Sequence, residues 1–461
     1  MTIVQRINNA LTSYIGVVVA GYIVLGFFYW NSVVDMGDGL MHYFISEALF
    51  RQPELAFHHW GKPLFSLLMA GPAQFGLLGV VVLESVLVLL TALLMQRIAA
   101  IFKLSYTWAV PVLYILSKGV IYTLFGGLTE PVFAFAVVLS TWLVLTQRAT
   151  WGIVLAGALW FIRPESVVAT PAILLIYLLR GGQWKQLLWV LLIPALYTVL
   201  GVAFADKSWT WIINDQPYPT NKSVYGKGPW NHYLKNWYRV TSPAVGLLAL
   251  VGGIRALLKK QWTIAVAIGV GIGIVAMHAV LWRFGLMGSA GLTRTLVTGL
   301  PFVVIGAAYA LETLRLKPLM LVAVLLLLPS LAKESIGLMK YMSKPSVTEK
   351  AAYELAAQIH DEVAQADEVY IQASVLRYAL GVSHFDPGQE RLWALDRETP
   401  AADLTPGSII CFDNFTGHRE GGHSLDKLQA NPRLQSIGGS ASYDSARVFH
   451  AFMVLPKTDP Q

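Results

Sequence analysis

The chain has 461 residues, of which 55% are hydrophobic and only 13% are charged, and its mean hydropathy is +0.56. A soluble chain carries about 25% charged residues, so this composition excludes an ordinary soluble protein and indicates a membrane protein. The formal net charge of +7 comes from basic residues scattered through short loops. Membrane topology explains that charge better than a nucleic-acid partner does. The single cysteine, Cys411, permits no internal disulfide.

Apolar segments recur from Tyr14 to about Leu331 and then stop. They predict about eleven transmembrane helices, although several are shorter than a full span. The first segment is long enough to span and no small-residue cleavage site follows it, which favours an uncleaved helix over a signal peptide. The predicted spans are Tyr14–Trp30, Phe75–Gln96, Tyr106–Ile121, Pro131–Leu145, Trp151–Ile162, Val167–Leu179, Leu187–Phe204, Pro243–Leu258, Trp262–Trp282, Leu296–Leu311 and Leu319–Leu331.

The basic residues predict the orientation of these spans. If Arg6 is cytoplasmic, each loop that falls on the inner side is short and basic, as the positive-inside rule requires. The amino terminus is then inside and the carboxyl terminus outside. The outer face receives several polar segments, which are Asn31 to Gln74, Ser117–Glu130, Arg163–Glu165, Asp206–Thr241, Arg283–Thr295 and everything after Leu331.

The composition becomes that of a soluble protein after residue 332. We therefore predict two domains: an α-helical polytopic domain over 1–332, with outer loops 31–74 and 206–241, and a small extracytoplasmic α/β domain over 333–461. In the second domain Val347–Ala366 has the pattern of an amphipathic helix, with Ser346 as its cap ahead of Glu349. The other predicted elements are strands at Glu368–Ala373, Ser408–Phe412 and Arg447–Leu455 and a short helix at Ser424–Gln429.

The first outer loop carries two acids, Asp35 and Asp38, among glycines close to the membrane surface. Partial loss of solvent raises the basicity of a carboxylate, so either acid is a candidate general base. The alternative is an Asp-Gly turn ahead of an interfacial helix. His58 and His59 lie in the same loop and would add ligands for a divalent metal, but their spacing matches no structural metal motif.

Two further acidic sites face the same side. Glu130 precedes Pro131 where a span re-enters, and it is either a functional acid or a helix-start residue that the helix dipole favours. Arg163 and Glu165 interrupt an apolar stretch in the sequence Arg-Pro-Glu. Charges at membrane depth indicate function, and the arginine fork suits phosphate. The alternative is a turn between helices that is closed by its own ion pair.

The later outer segments combine cations, which suit phosphates, with aromatic rings, which suit sugars. The alternatives are an aromatic belt at the membrane interface for the rings and side chains that snorkel to the headgroups for the cations. The candidates in the loop after the seventh span are Lys222, Tyr225, Lys227, Trp230, His232 and Tyr233, and those around the following Gly-rich turn are Arg283 and Arg294.

Taken in order, these motifs resemble the GT-C superfamily of membrane glycosyltransferases, including its mannosyltransferases and aminoarabinose transferases. In that family an acidic motif in the first outer loop precedes a tyrosine and an interfacial helix. Asp38, Tyr43 and Leu49 keep that spacing here. The family's acidic turn, Arg-Pro-Glu turn, aromatic outer loop and late arginine-bearing helix start are similar to 127–131, 163–165, 225–233 and 291–301.

The resemblance implies an inverting glycosyltransferase of the extracytoplasmic face, in an inner membrane of a bacterium. Its donor would be a polyprenyl-phosphate sugar and its acceptor a lipid, a glycan or a protein. Asp38, with Asp35 beside it, would be the base, and the cations above or a divalent metal would stabilise the leaving phosphate. No cofactor is certain. The main alternative is a flippase for lipid-linked sugars, although transporters tend to place polar residues at the bilayer midplane.

Overall fold

The computed structural model describes residues 3–215, 225–313, 317–396, 401, 403–442 and 446–457. Lys222, one of the predicted phosphate ligands, lies outside these residues. The α-helices are α1 (Ile3–Tyr29), α2 (Asp38–Ala48), α3 (Pro63–Ala73), α4 (Gly76–Ile101), α5 (Ala109–Ile115), α6 (Lys118–Leu124), α7 (Thr129–Leu145), α8 (Ala149–Ala158), α9 (Ser166–Leu179), α10 (Leu192–Phe204), α11 (Trp211–Asn214), α12 (His232–Lys235), α13 (Pro243–Leu258), α14 (Trp262–Phe284), α15 (Leu300–Thr313), α16 (Lys317–Met342), α17 (Val347–Gln365), α18 (Ser374–Leu380), α19 (Thr416–Arg419) and α20 (Leu425–Ala430). The strands are β1 (Val369–Ile371), β2 (Gln389–Glu390), β3 (Ile409–Asp413), β4 (Leu434–Ala441) and β5 (Val448–Val454).

The contacts divide the chain into two compact units. The boundaries between these units do not coincide with the domain boundary predicted at residue 332. The first unit is Met1–Trp30 with Leu49–Tyr341, and the second is Asn31–Ala48 with Met342–Gln461. The first outer loop, which the sequence assigns whole to the membrane domain, is therefore shared: its acidic part and α2 belong to the second unit.

The first unit is helical, and every predicted span falls on a helical segment. Within the residues that the structure describes, four helical stretches are long and apolar enough to cross a membrane by length and composition, or five if α6 and α7 form one bent span. These four are Thr12–Tyr29, Gly76–Ile101, Trp184–Phe204 and Trp262–Phe284, of which the third begins as a 3-10 helix. The prediction of eleven spans, and the orientation that goes with it, stay predictions.

One predicted span is not a continuous helix. The segment Tyr106–Ile121 divides into α5 and α6, and α6 is bent by 114° from α7. The break before α6 is fixed by Ser117, whose hydroxyl lies 2.8 Å from that of Thr241. The break before α7 includes Gly127 at φ +62°, a conformation that favours glycine. Hydropathy does not detect the break before α6, because apolar residues lie on both sides of it.

The site of the first unit is built around the amino-terminal end of α7. This helix packs against α4, α8 and α9 and against a 3-10 helix at Thr293–Thr298. In turn α14 packs against α9 and against the same 3-10 helix. Segments that are distant in sequence, α4, α14 and the 3-10 helix, therefore meet around α7 and α9.

The second unit contains a five-stranded sheet in the order β2-β1-β3-β5-β4. β1 is parallel to β2 and β3, whereas β5 is antiparallel to β3 and β4. The predicted helix at 347–366 is confirmed as α17, and Ser346 and Glu349 form a capping box at its start. The strands predicted at 368–373, 408–412 and 447–455 are confirmed as β1, β3 and β5.

The sequence pattern missed β4, because two glycines interrupt it. At Gly438 an added Cβ would lie 2.9 Å from side-chain atoms of both Leu355 and Ile359 on α17. A glycine at this position lets the helix approach the strand, which is also irregular between Ser436 and Gly438. The residue that weakens the strand pattern is therefore the one that the packing of α17 requires.

Arg377 of α18 is fully buried and ties the parallel strands together. Its Nη1 donates to Gln389 Oε1 at 3.0 Å, and its Nη2 donates to the carbonyls of Ile371, at 3.0 Å, and Glu390. These acceptors lie at the ends of β1 and β2. A buried carbonyl that loses its donor costs about 1–3 kcal/mol.

We therefore expect Arg377→Met to lower the unfolding temperature of the full chain in detergent by several degrees, because about 2–4 kcal/mol of hydrogen bonding is lost. Arg419→Gln is the matched control, since Arg419 is an exposed arginine of the same unit. Thermal unfolding of the three proteins is the measurement. Equal unfolding temperatures for Arg377→Met and Arg419→Gln would contradict the structural role of Arg377.

Candidate functional site

The first unit buries a cluster of opposite charges near the start of α7. Glu130, in the first turn of this helix, is 1% exposed and Glu165 is 0% exposed. Both carboxylates contact Arg163, which stands in the turn between α8 and α9. We call Glu130, Arg163, Glu165, His278 and Arg294 the arginine–carboxylate cluster.

Arg163 joins the two glutamates directly. Its Nε lies 3.1 Å from both carboxylate oxygens of Glu165, and its Nη2 lies 2.8 Å from Oε1. Its Nη1 lies 3.1 Å from Glu130 Oε1 and donates to Thr129 Oγ1 at 2.6 Å. The ion pair within the Arg-Pro-Glu turn is therefore present. It was the alternative to phosphate binding in the sequence analysis, and with the contacts to Glu130 and Thr129 it commits the donors of Arg163 to protein groups.

His278 and Arg294 complete the cluster from two other segments. His278, which lies on α14, has its Nε2 3.1 Å from Glu165 Oε1. Arg294, in the 3-10 helix at 293–298, has its Nε 3.9 Å from Glu130 Oε1, which is longer than a hydrogen bond. Arg294 is therefore held less closely by this carboxylate than Arg163 is.

The electrostatics of Glu165 follow from this geometry. Burial alone would raise the pKa of the Glu165 carboxyl, but Arg163 and then His278 lower it by more, so its pKa lies well below the usual range. Glu165 is therefore ionised at any physiological pH. The guanidinium and the imidazole stabilise a carboxylate that burial would otherwise disfavour.

The aromatic outer loop reaches the same cluster through Tyr233. This tyrosine is 1% exposed, and its ring centroid lies 6.1 Å from that of His278. Burial raises the pKa of Tyr233 to about 12, and Glu165 adds to this, while a hydrogen bond with the Ser289 side chain opposes it. Tyr233 therefore stays a neutral phenol beside the buried charges.

The aromatic loop and the Gly-rich turn pack against each other. His232 Nε2 lies 2.8 Å from the Gly291 carbonyl oxygen, and the Gly228 amide donates to the Trp282 carbonyl at 3.2 Å. Gly291 has φ +67°, and an added Cβ would lie about 3 Å from the rings of Trp282 and His232. The glycine therefore permits the close approach that brings the two segments together.

The other predicted residues of these segments do not enter the cluster. Lys227, Trp230 and Arg283 are exposed, and Tyr225 is half-buried. Trp230 packs edge-on against Phe284, with ring centroids 5.6 Å apart. Lys227 and Arg283 are thus cations presented to solvent or to a ligand from the two packed segments.

The second unit holds the acids of the first outer loop. Asp35 Oδ1 accepts hydrogen bonds from the amides of Gly37, at 3.2 Å, and Gly39, at 2.9 Å. Asp35 therefore caps the start of α2. Asp38 is the first residue of α2 and is half-buried.

The proposed metal ligands do not assemble within either unit. His58 and His59 belong to the first unit, and Asp35 and Asp38 belong to the second. His59 packs its ring against Trp211 at 4.7 Å, and burial lowers the pKa of His59 to about 4. The described residues contain no group of three or more histidine, cysteine, aspartate or glutamate side chains placed to hold a metal ion.

Sequence reasoning missed three polar residues of this region. His278 and Glu84 are single polar residues within apolar helices, and an ionisable residue at membrane depth was the signal that could have found both. Glu84, on α4, is 0% exposed and interacts electrostatically with Glu130. Neither of its carboxyl oxygens has a hydrogen-bond partner within the described part of the chain. Thr129, the third, carried no signal beyond its position beside Glu130.

The ion pairing of Glu165 predicts how stability depends on pH. Because the folded pKa of Glu165 is lower than the unfolded value of about 4.3, its stabilising contribution is complete above about pH 5 and is lost as the pH falls further. The difference in unfolding temperature between wild type and Glu165→Gln should therefore shrink as the pH falls below about 5. Thermal unfolding in detergent measures it, with the exposed Glu54→Gln as control. A difference that grows on acidification would contradict the pairing.

The comparisons with known proteins rest on structure. No protein-family model matches the chain, and no curated protein matches it. ArnT from Cupriavidus metallidurans in the apo state is similar with a TM-score of 0.58 and 12% identity, over 93% of this chain and 97% of that chain. The crystal structure of the same enzyme bound to undecaprenyl phosphate gives a TM-score of 0.59 and 14% identity, over 96% and 97%. The chain therefore has the GT-C-like fold that the sequence resemblance predicts.

Proposed function

We propose that this protein is an inverting glycosyltransferase that moves a sugar from a polyprenyl-phosphate-linked donor to an acceptor. The observation that carries the proposal is a buried arginine–carboxylate cluster within a fold similar to that of ArnT, one structure of which holds undecaprenyl phosphate. A polyprenyl phosphate is a lipid with an anionic head. Such a ligand needs an apolar helical body and cations at one place on it, and the first unit offers both.

Within the cluster, Arg294 is the better ligand for the phosphate. The donors of Arg163 are committed to Glu130, Glu165 and Thr129, so this arginine fixes the geometry of the cluster. Arg294, whose Nε lies 3.9 Å from Glu130 Oε1, is the other arginine of the cluster, and we assign a phosphate oxygen to it. The negative charge of the leaving phosphate would be stabilised further by Lys222 and by the exposed Lys227 and Arg283.

Asp38 serves as the general base. As the acceptor hydroxyl transfers its proton to the Asp38 carboxylate, its oxygen forms a bond to the anomeric carbon of the donor sugar. The bond between that carbon and the phosphate oxygen breaks, and the electron pair leaves with the polyprenyl phosphate. Attack opposite to the leaving group inverts the anomeric configuration.

The positive-inside rule supports an N-in, C-out orientation, which puts this chemistry on the extracytoplasmic face of an inner membrane of a bacterium. The acceptor is a lipid, a glycan or a protein, and membrane lipids surround the helices.

The second candidate function is a flippase for lipid-linked sugars. The buried Glu84 favours it, since an ionisable residue inside a membrane helix is typical of a transport path.

The identity of the base is tested with Asp38→Asn and Asp35→Asn. We expect Asp38→Asn to lower sugar transfer by about 100-fold or more, because general base catalysis is lost. Asp35→Asn should be much milder, since an asparagine oxygen also caps a helix. Transfer of label from a panel of radiolabelled polyprenyl-phosphate sugars to a membrane extract is the measurement. Loss of transfer in Asp35→Asn alone would assign the base to Asp35 instead.

The phosphate ligand is tested with Arg294→Gln. We expect this variant to bind undecaprenyl phosphate about tenfold or more weakly, because a charge-assisted hydrogen bond is lost. Binding to the purified protein in detergent is the measurement, and the exposed Arg419→Gln is the matched control. Unchanged binding would remove Arg294 from the site.

A wild-type protein that transfers no sugar but moves a labelled lipid-linked sugar across the membrane of liposomes would establish the flippase instead.

A further inference from the structure

The segment that carries Asp38 is held by residues more than 300 positions later in the chain. The Asn31 amide donates to the Met342 carbonyl at 3.0 Å, and the Val33 amide donates to Glu349 Oε1 at 3.1 Å. These bonds attach the start of the segment to the region that leads into α17. Both belong to the second unit, which contains 31–48 and 342–461.

The helix that follows is held along its length by the same unit. Met41 Sδ lies 3.8 Å from Arg391 Nη2. The rings of Tyr43 and Tyr378 have centroids 6.2 Å apart and meet edge to face. Phe44 meets the ring of His384 in the same way at 5.9 Å. The side chains of α2 therefore lie against α18 and the residues that follow it.

Glu349 has two separate hydrogen-bonding roles, one for each carboxylate oxygen. Oε2 accepts from the Ser346 amide at 3.3 Å and so completes the capping box of α17. Oε1 accepts from the Val33 amide and is not needed for the cap. Glu349 is 3% exposed, so the second bond is shielded from water.

The connection from Glu349 to the base is short. Val33 stands two residues before Asp35, and Asp35 fixes the first turn of α2 through the amides of Gly37 and Gly39. Asp38 is the first residue of that helix. Anchoring Val33 and capping α2 together leave the backbone between them little freedom, and this restricts the backbone position of Asp38.

We propose that Glu349 is a positioning residue for Asp38, and that the second unit serves to hold the base-bearing segment in its reactive position. This inference rests on the proposed function, because it gives Glu349 a role in the reaction that Asp38 performs. Glu349 does not touch the reacting atoms. It acts through the Val33 amide.

The chain offers a matched control for the two roles of Glu349. Ser346→Ala removes the hydroxyl that accepts from the Glu349 amide at 3.1 Å, and so breaks the cap, but keeps the bond to Val33. Glu349→Ala removes both. Glu349→Gln keeps an oxygen that accepts from Val33, and Glu349→Asp is too short by one methylene to reach it.

The experiment measures hydrogen exchange of peptides from 31–48 and sugar transfer with the full chain in detergent. For Glu349→Ala we expect faster exchange and a kcat about 10–100-fold lower, because a small misplacement of a catalytic group has that effect, with the donor KM within twofold of wild type. Ser346→Ala and Glu349→Gln should stay within about threefold of wild type in kcat. Adding Glu349→Ala to Asp38→Asn should lower residual transfer no further.

Each contrary outcome has a definite meaning. If Glu349→Ala exchanges and transfers like wild type, or lowers kcat no more than Ser346→Ala does, the positioning role is wrong. If Glu349→Ala does not fold, Glu349→Asp against Glu349→Gln makes the same comparison. If wild type transfers no sugar from any donor, the proposed function fails and the positioning role in catalysis fails with it. Faster hydrogen exchange in Glu349→Ala would in that case still show that Glu349 holds the segment 31–48.

Discussion

One guanidinium bridges two carboxylates in the interior of the first unit, and the geometry of the site depends on it. Arg163 contacts Glu130 and Glu165, which are 1% and 0% exposed. A buried carboxylate without a partner costs several kcal/mol, and removing one member of such a set leaves the others uncompensated. The start of α7 and the turn before α9 are thereby fixed relative to each other. Arg294 and His278 reach carboxylates whose positions are already set.

Charge balance within the cluster has a further effect on phosphate recognition. Arg163 and Arg294 carry two positive charges, and Glu130 and Glu165 carry two negative charges when both are ionised. The cluster is thus close to neutral before any ligand arrives, and a phosphate must compete with Glu130 for a cation. Such competition favours a ligand with more than one negative charge over a weaker anion, which is a source of specificity.

The sequence predicted the class of fold well and the connections within it poorly. Long apolar segments and the capped helix at 347–366 follow from local composition, and both are confirmed. The bend between α6 and α7 and the strand at Gly438 depend on contacts with distant segments. The sharing of the first outer loop between the two units depends on a hydrogen bond between residues 316 positions apart, and no local pattern encodes it.

The candidate site shows the same limit. Glu130, Arg163, Glu165, Tyr233 and Arg294 were predicted from their types and their common sidedness, and the structure brings them together. Their partners were not predicted, because a single histidine or glutamate in an apolar helix does not indicate which neighbour it meets.

The divided second unit also affects how the chain is made. Residues 31–48 emerge from the ribosome about 300 residues before α17 and α18, the helices that they contact. Translation at roughly 5–20 residues per second leaves that segment without its native partners for tens of seconds. During this time its aromatic and aliphatic side chains must be covered by lipid or by a chaperone. A chain that lacks residues 342–461 would therefore leave the side chains of residues 31–48 without the partners that they have in the second unit.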